Sequence, residues 1–95
     1  MSVVIKPSTR AGYKKMAVFT RPNGRRKTTH FGAAGMSDYT IHKDAARKQR
    51  YIARHQKREN WDDPYTAGAL SRWILWNKPS YRASVADFRR RFGFA

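Results

Sequence analysis

Lys43, Arg47, Arg50, Arg54 and Lys57 recur at steps of four, three, four and three. On an α-helix that spacing places all five cations on one face. Arg is the larger share of the basic residues, 13 against 8 Lys, and its planar fork of donors suits bidentate docking on phosphate or carboxylate. The chemistry such a row offers is therefore recognition of a polyanion. Further basic groups reinforce it: Lys14 and Lys15, the run Arg25, Arg26 and Lys27 just past an "RPNG" turn, and the triplet Arg89, Arg90 and Arg91. The hairpin run and the triplet, with the five on the helix, form the expected polyanion-binding set.

The charge balance points the same way. Twenty-one Lys and Arg face 6 Asp and Glu, a formal net charge of +15 at pH 7. A fold this cationic repels itself unless an acidic partner or counter-anions neutralise it. Ninety-five residues allow one small domain with a modest core, and 40% apolar with 14% aromatic residues is too rich in core formers for a disordered tail.

Catalytic constellations are thin. His30, His42 and His55 are spaced 12 and 13 residues apart, and with no cysteine in the chain they make no zinc pattern. His30 with Ser37 and Asp38 has the residue types of a hydrolytic triad but lacks a nucleophile elbow. Asp62 and Asp63 precede Pro64 and suit a turn, and Gly32 with Gly35 matches neither phosphate-loop pattern. No catalytic residue, metal or cofactor is expected. No apolar run approaches the roughly 20 residues of a membrane span, and "MSVVIKPSTR" is too polar for a secretory signal.

The elements that must position the basic groups divide at a glycine-rich hinge. "SVVI", "YKKMAVFT" (13–20) and "RRKTTHF" (25–31) have strand character, the second placing Met16 and Val18 on one face and Ala17 and Phe19 on the other. They predict a three-stranded antiparallel meander over residues 1–32. Residues 33–40 connect it to a helical part, 41–95. The basic helix should carry Asp44 in its first turn and run to about Arg58, with Ile41, Ala45, Ile52 and His55 on its core side. A second helix, 67–77, is capped by Thr66 and apolar nearly all round, with Arg72 its main polar outlet. A third follows Ser80 or Ser84, carries Tyr81, Val85, Phe88 and Phe92 on one stripe, and stops at Gly93. The fold class is α+β: a meander followed by three α-helices in a single small domain. Trp73, Trp76, Phe88 and Phe92 belong to its core, and Trp61 is the one aromatic placed for a surface role.

The words "HFG", "SDYTIHKD", "RYIARH", "SRWILWNKPS" and "RRF" lie within residues 30–61 and 66–92. Together they resemble a family of small basic proteins of unassigned function encoded by large nucleocytoplasmic DNA viruses of algae and amoebae; the first 29 residues match less distinctly. The resemblance implies a virion protein, present in the host cytoplasm or nucleus during assembly. It also implies its partners: acidic surfaces of other virion proteins, anionic inner-membrane lipids, or the genome. The leading expectation is a non-enzymatic structural protein of minor-capsid or assembly type that bridges anionic surfaces. The alternative is a nucleic-acid-binding protein that condenses the genome without sequence specificity.

Overall fold

The computed structural model describes all 95 residues. Three strands, β1 (Ser2–Pro7), β2 (Tyr13–Thr20) and β3 (Arg26–Ala33), form an antiparallel sheet in the order β1-β2-β3. Cross-strand pairs Val3↔Phe19 and Phe19↔Lys27 set the register. Because side chains alternate, that register turns Val3, Ala17, Phe19 and Phe31 into the core, each exposed by 1% or less. The opposite face is left half open, with Val4 51% exposed. The β2–β3 turn closes through the Gly24 amide donating to the Arg21 carbonyl at 2.9 Å, with Gly24 at φ 85°, where its missing Cβ costs nothing.

The helices begin at side-chain caps. Asp38 caps the single turn α1 (Tyr39–His42) by accepting from the Thr40 amide at 2.9 Å. Asp44 caps α2 (Ala45–His55), accepting from the Ala46 and Arg47 amides at 2.9 and 3.3 Å. Thr66 caps α3 (Ala67–Leu70), which runs on into a wider π-helical turn over Ser71–Leu75. That turn ends where the Trp76 amide donates to the Ser71 carbonyl at 3.0 Å. Ser80 caps α4 (Tyr81–Phe92), and Gly93 ends it in the left-handed conformation.

The architecture is α+β, a meander followed by helices. Leu70, Ile74 and Leu75 pack between the sheet residues Phe19 and Phe31 and the α4 residues Val85 and Phe88. Burying these side chains is the main driving term for a domain of this size.

Several local expectations are corrected. The turn α1, started by the Asp38 cap, straddles residue 40, the expected boundary between the connecting stretch and the helical part. The basic helix ends at His55 rather than Arg58, and Gln56–Arg58 form a turn. Its core side is not Ile41, Ala45, Ile52 and His55: Ile41 is 63% exposed, and Tyr51 is the buried residue of α2. Arg72 is no outlet to solvent. It is half-buried, its guanidinium 4.3 Å from the Trp73 ring centre and 5.3 Å from that of Trp61, and its Nη1 donates to the Trp76 carbonyl at 2.9 Å. Burial and the neighbouring Arg91 lower its pKa from the usual arginine range. Trp73 and Trp76 lie at the edge of the core, partly buried, rather than inside it.

Candidate polyanion-binding surface

The row of five cations is interrupted at both ends. Lys43 sits before α2 in a left-handed conformation, φ 55°, as the C-cap of α1, and Lys57 lies past the helix in the following turn. The competing cap at Asp44 explains the first break: an Asx cap forces a helix to start there, whatever the charge pattern upstream. Arg47, Arg50 and Arg54 remain on α2, all exposed. They span about 10 Å along the helix axis at ~1.5 Å per residue.

Arg25, Arg26 and Lys27 are exposed at the hairpin end of the sheet. The α4 triplet is divided. Arg89 spends its guanidinium on the core side, donating to the Val3 carbonyl at 3.1 Å. Arg91 lies with its guanidinium 3.8 Å from the Trp73 ring centre and donates to Asp87 at 3.3 Å. Arg90 also donates to Asp87, at 3.1 Å, but leaves 74% of its side chain exposed. Two of the three are thus structural groups, which their adjacency in sequence did not reveal.

The surface has two cationic ends. Arg89 meets Val3 near the hairpin, and Thr20, Arg21 and Ala95 share a shallow depression there. At the other end of β3, Gly32 and Ala33 share a cavity wall with Arg54 of α2. Eight residues of β3 separate the ends, about 23 Å at ~3.3 Å per residue, in a molecule 42 Å along its longest axis. Arg54 and the basic hairpin therefore lie at opposite ends of β3.

Few of these charges are neutralised internally. Of 21 Lys and Arg, only Lys14, Arg90 and Arg91 come within 4 Å of a carboxylate. Most of the acids are engaged elsewhere, and only Asp62 is left exposed without a partner. Asp38 holds Lys14 at 2.6 Å; Asp44 caps α2, its pKa lowered mainly by the Arg47 amide. Glu59 takes the Trp61 indole at 2.7 Å and His55 at 3.2 Å, and Asp63 accepts from the Tyr65 amide. Trp61 is thereby half-buried rather than free on the surface.

Around α2 the aromatic side chains form a stack. Tyr51 lies on Trp76 with centroids 4.4 Å apart, and His55 lies on Tyr51 at 4.3 Å. Burial and the Glu59 carboxylate raise the Tyr51 pKa well above the phenol range, so its hydroxyl stays protonated. Lys48, on the same side of the helix, donates to the Asn77 carbonyl at 2.7 Å; burial lowers its pKa. A cavity of about 360 Å³ opens beside this stack, walled by α2, α3 and the end of the sheet. The three histidines are not brought together: His30 bonds Ser8 at 2.7 Å, His42 accepts from the Asp44 amide, and His55 faces Glu59. The triad residue types are equally scattered, since Asp38 faces Lys14 while His30 faces Ser8. No helix is long and apolar enough to cross a membrane.

No curated protein sequence and no solved structure matches the chain. A family profile does match, over residues 3–55, and it spans all three strands, the basic hairpin and α2 with its arginine row. That is more than half of the chain, so the protein belongs to the Family of unknown function (DUF5754).

Proposed function

We propose that the protein is a non-enzymatic structural component that bridges anionic surfaces through its two cationic ends. The observation that carries this reading is the separation of unpaired cations: Arg47, Arg50 and Arg54 on α2, and Arg25, Arg26 and Lys27 at the hairpin, at opposite ends of β3. A single binding face would gather them; a bridge needs them apart. The resemblance to proteins of large DNA viruses supplies the setting, a virion in which the protein acts as a minor-capsid or assembly component. Its partners would be acidic surfaces of neighbouring proteins or anionic inner-membrane lipids.

A second reading, compaction of the viral genome, is favoured by one feature: three unpaired arginines in a row can meet successive phosphates. Binding to duplex DNA across about 50 to 200 mM salt separates the two. A bridge of protein or lipid surfaces loses DNA by the upper end of that range. Sub-micromolar DNA binding that survives there, with a log–log slope of several ions, would favour genome compaction instead.

A further inference from the structure

The cavity beside α2 restricts what kind of anionic partner fits. Its volume, about 360 Å³, lies within the range of about 300–1,000 Å³ typical of ligand sites. The arginine row ends in its wall, at Arg54. The other charges lining it are already paired: Lys14 with Asp38 at 2.6 Å, and Glu59 with His55 and the Trp61 indole. Arg54 is thus the one charged side chain in the wall that makes no hydrogen bond.

The apolar part of the wall is Leu75, Tyr51, Trp76 and Met36, which is 65% exposed, and Ser37 and Ser71 add hydroxyls. Tyr51 has one ring face on Trp76, at an interplanar angle of 2°, and also stacks with His55. Trp76 also contacts His42 at 5.3 Å. With Tyr51 stacked on Trp76 and on His55, its ring is not a free platform for a nucleobase. A phosphate chain would satisfy the arginines and leave the apolar hole empty.

We propose that the cavity anchors an acidic protein segment: one large apolar side chain enters beside Met36 and Leu75, and flanking carboxylates meet Arg54 and Arg50. This rests on the bridging reading and names the partner at its α2 end as protein. An apolar anchor in a pocket ringed by charge is the usual energetic centre of a protein interface.

The test uses two synthetic Glu-rich peptides, identical except for a central Leu or Ser, titrated against the full chain by fluorescence anisotropy. The Leu peptide should bind about tenfold more tightly, a difference of about 1.4 kcal/mol. Ala67→Phe, at an exposed residue of the cavity wall, should bring the two peptides to the same affinity. Met36→Ser should narrow the gap without changing the core. Equal binding of the two peptides to the parent would overturn the anchor site while leaving the bridging reading intact. Binding of neither peptide, alongside tight binding of duplex DNA, would overturn both.

Discussion

The ring of Tyr51 lies parallel to that of Trp76, 2° apart in orientation and 4.4 Å between centroids. It joins the most cationic element of the chain to the helix that fills the core. Tyr51 is the only buried residue of α2, so its stack on Trp76 is the main packing contact that places Arg47, Arg50 and Arg54.

Tyr51→Ala should therefore cost about 3 kcal/mol, the loss expected for truncating a buried aromatic. Urea unfolding would measure it. Tyr51→Phe keeps the stack and should stay within about 1 kcal/mol of the parent. If the Ala variant unfolds at the parent's midpoint, α2 is held by something other than this stack.

Trp73 gives a second handle. It packs against the core, its indole donates to the Trp61 carbonyl at 2.9 Å, and the guanidinium groups of Arg72 and Arg91 lie over its ring. Trp73→Ala removes all three contacts and leaves a half-buried Arg72 against a void. The expected loss is about 3 kcal/mol, the lower end for a large aromatic because part of the ring is exposed. Thermal melting would detect it directly; an unchanged melting curve would place Trp73 outside the fold's support.

Asp87 sets an acid limit. Burial pushes its pKa up, but hydrogen bonds from Asn77 and Arg90 and the charge of Arg91 outweigh it, and the net shift is downward. A carboxylate lowered in the folded state contributes stability that is present above its unfolded pKa of about 3.9 and lost as pH falls through the folded value. Stability measured by urea unfolding should decline as pH drops below about 4. In Asp87→Asn, which keeps an acceptor for Asn77, that decline should be shallower. An identical decline in the variant would assign the acid limit to other carboxylates.

Much of this was legible from residue types. Strand alternation at Met16 to Phe19 and the caps Thr66, Ser80 and Gly93 follow from local chemistry and match the structure. What escaped was non-local. The cation spacing fits a helix from Lys43 onward, yet a side-chain cap at Asp44 overrides a pattern of charges that interact weakly. Tyr51 and Trp76 are 25 positions apart and Arg89 and Val3 are 86 apart, so no window along the chain shows that Arg89 is structural. The π-helical turn at Ser71–Leu75 carries no composition mark at all, and the cavity beside α2 exists only once that turn, α2 and the sheet end are assembled.

The bridging account is tested most directly by light scattering from carboxylate-coated beads mixed with the protein at low salt. The parent should bind and cluster the beads. Arg47→Ala/Arg50→Ala/Arg54→Ala and Arg25→Ala/Arg26→Ala/Lys27→Ala should each keep their stability within about 1 kcal/mol, since exposed charges contribute little. Each variant should still coat the beads through the remaining end but no longer cluster them. A parent that coats without clustering, or variants that cluster as the parent does, would contradict a two-ended bridge.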